Sequence, residues 1–197
     1  QCCLVGSEMC IRDRNYSSVM LQMILHKIFL DEVEKIIGSD IVLHHTKLFE
    51  KSPKKGAAFP LHQDWSYFPT KNNTMIAAVI HLSNSTEEMG CFRIIPGSHK
   101  LGPLDNSDGH KQNPEIHSKY KLNEACPVLA NPGDVLFFHC CSLHGSMANT
   151  SLDPRKTILV QLYSGKDKII KGNTHTNAQL VLRGFNYYSS RKSVDVN

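Results

Sequence analysis

The seven cysteines include no Cys-x-x-Cys pair, which excludes zinc-ribbon and thioredoxin-like spacing. No uninterrupted apolar run reaches the roughly 18 residues of a membrane-spanning helix, so no membrane partner is expected. No basic block is interleaved with aromatics. The net charge is +4 and the lysines are scattered, as at Lys119, Lys121, Lys166, Lys168 and Lys171, so no nucleic-acid footprint is expected either. The start lacks a basic segment followed by an apolar one and is not a signal peptide. With free thiols, the reading is a cytoplasmic, reducing compartment. There are no internal repeats. The first residue is Gln rather than Met, and the chain reads as a piece of a longer protein. Residues 1–14 (QCCLVGSEMCIRDR) differ in composition from the rest of the chain and resemble translated adapter sequence. They are expected to be a non-native or disordered leader, with one domain over 15–197 and its core over 40–164.

What is present is an ordinary globular composition, 41% hydrophobic and 20% charged, long enough for one proper core. Leu21, Ile24, Leu25, Ile28 and Phe29 recur at helical spacing and predict a helix packed on the core. Asp31 is the expected cap of a second short helix that Gly38 ends. From Asp40 the texture changes to short strands: 41–49, 59–65, 75–82, 91–95, 126–130, 135–140 and 156–163. Gly, Pro and polar turns separate them. Residues 51–56 and 102–124 read as loops, the latter with little regular structure, and 165–197 as mixed. Oligomeric state is not legible. About seven short strands with helices at one end predict a mainly β fold, a sandwich or jelly roll.

The chemistry gathers in a few residues. In Pro60-Leu61-His62-Gln63-Asp64-Trp65, strand alternation would project His62 and Asp64 together and Gln63 the opposite way. An imidazole and a carboxylate make two thirds of a 2-His-1-carboxylate set for Fe(II). Alone, the pair is as readily a hydrogen-bonded surface pair. Two histidines occur in the 135–146 segment. His144, beside Gly145, suits a ligand at a barrel mouth, and His139 suits the core. Arg155, eleven positions after His144, is a residue able to hold a carboxylate with two parallel bonds. Cys140 and Cys141 read as packing, and His99 as part of its Pro-Gly-Ser-His turn.

The series His62-x-Asp64, Pro96-Gly97-Ser98-His99, Gly133-Asp134, His144-Gly145-Ser146 and Arg155 resembles the phytanoyl-CoA dioxygenase family of Fe(II)/2-oxoglutarate oxygenases over residues 40–164. The resemblance implies a double-stranded β-helix, the cupin-like variant of the jelly roll, with flanking N-terminal helices. It implies iron ligands His62, Asp64 and His144. It places Arg155, with Ser146 and Lys47, on the 2-oxoglutarate co-substrate, and Ile80 where a pocket-lining tryptophan stands in a relative. It implies O₂ as oxidant, ascorbate to keep the iron reduced, and a small-molecule or lipid-like substrate that is hydroxylated as succinate and CO₂ are released. A carboxylate at Asp64, rather than a small residue, favours hydroxylation over halogenation. Two other readings stand beside it. One is a catalytically silent barrel that binds a ligand. The other is a cupin-type isomerase or metal-binding protein, which would use more histidines and have no need of Arg155.

Overall fold

The computed structural model describes residues 8–11, 18–105, 113–170 and 179–189, with 8–11 described by their backbone. Eight strands build the core: β2 (Ile41–Lys51), β3 (Phe59–His62), β4 (Ile76–His81), β5 (Phe92–Ile94), β6 (Cys126–Val128), β7 (Val135–His139), β8 (His144–Ser146) and β9 (Arg155–Ser164). One antiparallel sheet runs β2-β9-β4-β7 and the other β3-β8-β5-β6. Apart from the consecutive pair β5 and β6, the chain alternates between them, as a double-stranded β-helix does. β1 (Glu8–Ile11) and β10 (Leu180–Arg183) extend the larger sheet by pairing with β2. Of the 1–14 leader, Glu8–Ile11 is therefore a strand, and the rest lies outside the described residues. No described helix is long and apolar enough to cross a membrane.

The larger sheet is covered on both faces, which is why β4 reads as an unbroken apolar run. Ile76, Ala78 and Ile80, with Ile158, Val160 and Leu162, pack outward on the helices. Ala77, Val79 and Phe138 point inward, towards Phe92 of the smaller sheet. Ile80 thus lies on the helix-facing side, and the tryptophan comparison does not transfer. Period-two alternation makes its neighbours Val79 and His81 the cavity residues instead.

β2 carries a bulge. Leu43 pairs with Leu162 and His45 with Gln161, leaving His44 as the extra residue. An extra residue reverses which side chains face inward downstream of it. Lys47, Phe49 and Lys51 accordingly stand opposite Leu159, Thr157 and Arg155. Lys51 therefore ends a strand rather than opening the loop expected at 51–56.

The helical region divides earlier than the sequence suggests. α1 spans Ser18–Ile24 and α2 spans Lys27–Ile37, so the break falls at Leu25-His26. Asp31 lies inside α2, paired with Lys27 and Arg183. Gly38 ends α2 in a positive-φ conformation, its N–H bonded to Glu34. Ile24, Phe29, Leu30 and Val33 pack on the sheet, while Leu25 and Ile28 are exposed. The expected 102–124 loop contains α3 (Pro114–Lys119), capped by the Asn113 side chain on the Glu115 N–H at 2.9 Å and opened by Pro114. That is a helix start written in the sequence, hidden among its Gly and Pro neighbours.

Candidate active site

His62 and His144 are direct cross-strand partners of β3 and β8, with ring centroids 4.1 Å apart. Asp64 is not on the strand, as strand alternation had it. β3 ends at His62, and Asp64 opens a 3-10 turn over Asp64–Ser66. The turn still aims its carboxylate back at the histidines. Asp64 Oδ1 lies 3.7 Å from His62 Nε2 and 3.5 Å from His144 Nε2. All three side chains are buried. Gln63 points the other way, as expected, holding the Gly102 and Cys141 carbonyls and the Leu104 N–H.

The protons on the two imidazoles are set by their partners. His62 Nδ1 meets the Pro60 carbonyl at 2.9 Å, and His144 Nδ1 meets the Ser142 carbonyl at 2.9 Å. A carbonyl only accepts, so each Nδ1 carries the hydrogen and each neutral ring presents a lone pair at Nε2. Backbone-held imidazoles of this kind are the usual orientation of metal-ligating histidine. The rings are wedged by aromatics: Phe59 against His62, Phe92 and Phe138 against His144. Gly145 admits the close approach of β3, because a Cβ there would lie 2.6 Å from the Phe59 carbonyl. Two nitrogens and a carboxylate oxygen converging from one side fit a divalent iron and leave its other side to the cavity.

The carboxylate is held as well. Gln161 Nε2 donates to Asp64 Oδ2 at 2.6 Å, which leaves Oδ1 for the histidine side. Gln161 was not anticipated. The available signal was its spacing, since Arg155, Thr157, Leu159 and Gln161 alternate inward along β9. Gln161→Leu is expected to weaken Fe(II) binding by roughly 10–100-fold, the usual effect of losing a partner behind a ligand. Anaerobic Fe(II) competition titration checks it, and unchanged affinity would remove Gln161 from the account.

These residues open into a cavity of about 220 Å³. Phe49, Phe59, Tyr67, Phe68, Phe92 and Phe138 supply much of its wall. The structure brings all six expected site residues to it: His62, Asp64, His144, Arg155, Ser146 and Lys47. Arg155 is buried, and its Nη1 is fixed on the Gly90 carbonyl at 2.8 Å. Lys47 leans over the Phe68 ring at 5.7 Å. The Ser146 hydroxyl accepts from Lys51 Nζ at 2.6 Å, which leaves its own hydrogen to donate. Lys51 is a fully buried lysine that also holds the Met147 carbonyl at 2.8 Å. His139 stands outside the cavity lining, as the sequence suggested.

His81 and Thr157 are further lining residues that the sequence did not single out. Burial pushes the His81 imidazole below its usual value, partly offset by a hydrogen bond with the Asp134 carbonyl, and the Arg155 charge adds to the depression. The folded protein therefore resists protonating His81, whereas the unfolded chain takes a proton near pH ~6.5. Stability from this group is whole above that pH and is lost as pH falls towards the lower folded-state value. Denaturant unfolding between pH 7 and 5 should show this loss, and His81→Leu should flatten the slope. An equal slope in the variant would assign the loss elsewhere.

Comparison with known proteins finds one family that matches most of the chain. Residues 9–157 match the family model described as Phytanoyl-CoA dioxygenase (PhyH). Peroxisomal phytanoyl-CoA dioxygenase of Bos taurus is 34% identical over 140 residues, covering 66% of this chain and 41% of that protein. The human enzyme of that name is 31% identical over 185 residues, covering 85% and 54%. A probable alpha-ketoglutarate-dependent hypophosphite dioxygenase of Stutzerimonas stutzeri is 31% identical over 139 residues, covering 66% and 48%. The chain spans about half the length of these curated relatives. Among solved structures, the non-heme alpha-ketoglutarate-dependent epimerase SnoN from nogalamycin biosynthesis superposes with a TM-score of 0.72 at 20% identity, covering 90% of this chain and 78% of that one. The fold is thus shared with that enzyme.

Proposed function

The chain belongs to the phytanoyl-CoA dioxygenase (PhyH) family, and from that premise we propose that it carries the Fe(II)- and 2-oxoglutarate-dependent dioxygenase site of its protein, a hydroxylase. The observation that supports this most is the pairing of two opposite demands in one cavity. His62, Asp64 and His144 offer two neutral nitrogens and one negative oxygen, while Arg155 and Lys47 place positive charge beyond them. In this reading Fe(II), 2-oxoglutarate and O₂ together supply the oxidising power for C–H hydroxylation, with succinate and CO₂ released.

The protein's own residues bind, orient and exclude water. His62 and His144, held at Nδ1, give Nε2 to iron, and Asp64, held by Gln161, gives Oδ1. Arg155 takes the far carboxylate of 2-oxoglutarate, with the Ser146 hydroxyl donating beside it and Lys47 on the same wall. Iron with Asp64 is +1 and the co-substrate −2, and the negative charge that remains is met by Arg155 and Lys47, which suits a buried site where an unpaired charge is expensive. Phe59, Tyr67, Phe92 and Phe138 keep water from the reacting face.

The substrate in this reading is a small or lipid-like molecule with an apolar part to meet those rings. Relatives' names run from phytanoyl-CoA to hypophosphite, so family membership does not choose among substrates. The test is succinate formation by the full-length protein with Fe(II), 2-oxoglutarate and ascorbate, screened for stimulation by candidate substrates. Succinate above the iron-free control is expected, and its absence from protein that is folded and iron-loaded would favour the silent barrel.

A further inference from the structure

A second cluster of ligating side chains lies outside the cavity, where β7 turns towards β8. Cys140 and Cys141 are adjacent, buried, and have their sulfurs 3.9 Å apart. His139 Nδ1 lies 3.9 Å from Cys140 Sγ, and the ligating atoms of the three residues all fall within 4.8 Å of one another. His99, exposed on the 3-10 turn Ser98–Leu101, brings its ring centroid to 6.1 Å from that of His139. We propose that Cys140 and Cys141, with His139 and His99, form a second metal site for a soft four-coordinate cation of the zinc type.

The donor spacing suits such an ion better than it suits a disulfide. Two sulfurs about 2.3 Å from a tetrahedral zinc lie about 3.8 Å apart, whereas a disulfide needs about 2.05 Å. Charge also balances: two thiolates neutralise a divalent cation, and two neutral imidazoles complete a Cys₂His₂ set. Binding releases to solvent the proton that Cys140 still carries, and any proton on His139. His139 Nδ1 exchanges the Cys141 N–H that it accepts at 3.1 Å for the ion. One of the two thiols is already favoured as the anion before any metal binds. The Cys141 thiol is pulled down to about 5, chiefly because Cys140 donates to its sulfur, with His139 and His99 also beside it. The hydrogen bond with Cys141, and then burial, push the Cys140 thiol up.

The backbone around these donors is held before any metal arrives. The Cys140 N–H is on the Met75 carbonyl, and the Cys140 carbonyl accepts from the Trp65 N–H, each at 3.0 Å. The Cys141 carbonyl accepts from Gln63 at 2.7 Å. Ser98, next to His99, takes the Leu143 N–H on its hydroxyl at 2.8 Å, tying the two turns together. Gln63 and Trp65 flank Asp64, so an ion here stiffens the segment that carries His62 and Asp64 without entering their cavity.

The test uses Co(II) on the full chain in a His62→Ala/His144→Ala background, which silences the histidine–aspartate site. One equivalent of cobalt should bind with sulfur-to-cobalt charge-transfer absorption. That band should weaken in Cys141→Ser, which leaves one sulfur, and vanish in Cys140→Ser/Cys141→Ser. His99→Ala, a change at an exposed position that leaves the fold intact, should weaken binding by at least the ~10–100-fold that loss of an outer partner costs. X-ray absorption of the zinc-loaded protein should show two sulfur neighbours, a readout that needs no cysteine variant. Cobalt bound through nitrogen and oxygen alone, or no bound cobalt, would overturn the proposal and leave the thiols as packing. Neither result depends on 2-oxoglutarate turnover.

Discussion

Asp64→Asn abolishes succinate formation and weakens Fe(II) binding by at least about a hundredfold, because it exceeds the ~10–100-fold effect of losing a partner behind a ligand. The substitution keeps size and shape, so its effect isolates charge. The amide oxygen still accepts from Gln161, whose Nε2 now sits 2.6 Å from Asp64 Oδ2, and the buried donor is not orphaned. Stability is therefore expected to stay close to that of the parent. Asp64→Ala removes the acceptor as well, and leaving a buried donor unsatisfied costs about 1–3 kcal/mol. The two variants should lose iron alike and differ in thermal unfolding. Anaerobic Fe(II) titration with calorimetric melting checks both. Retained hydroxylation in either variant means that the site is misassigned.

Arg155→Ala should weaken 2-oxoglutarate binding by ~10²–10⁴-fold, since breaking a buried charge pair costs about 3–5 kcal/mol. Iron binding should be spared, because Arg155 is not one of the three ligands and its Nη1 rests on the Gly90 carbonyl. Arg155→Lys is not a rescue. Lysine carries the charge but lacks the planar fork that grips a carboxylate with two bonds. Partial recovery of affinity with no recovery of turnover is the expected pattern, measured by equilibrium 2-oxoglutarate binding to iron-loaded protein. Unchanged affinity in Arg155→Ala would end its assignment as the co-substrate clamp.

Much of the site was legible because its chemistry is carried by residue type and order. His62, Asp64, His144 and Arg155 could be named from spacing and resemblance, and Lys47 and Ser146 also proved to line the cavity. What escaped depends on backbone phase. The His44 bulge reverses the facing of β2 from His45 onward, and nothing in the His44-His45 pair announces which residue is extra. Lys51 consequently looked like the first residue of a polar loop, yet it is fully buried against Ser146. Ile80 was placed on the pocket by comparison of position, while strand alternation puts it under α2. Gln161, Thr157 and His81 were hidden inside runs that hydrophobic patterning reads as plain buried strand. The fold was easier, because turn residues and apolar runs mark strands directly. The helices were harder. Asp31 looks like a cap by composition, but it lies inside α2 and pairs with Lys27 of that helix and Arg183 of β10.

In the proposed site one buried cavity holds Fe(II) on His62, Asp64 and His144 and 2-oxoglutarate on Arg155. Anaerobic calorimetric titration of 2-oxoglutarate into the full-length protein, with and without Fe(II), tests it most directly. One equivalent of 2-oxoglutarate should bind, tighter with iron than without, with iron enhancement lost in Asp64→Asn and affinity lost in Arg155→Ala. Binding that is indifferent to iron and to both substitutions, or no binding at all, would contradict it.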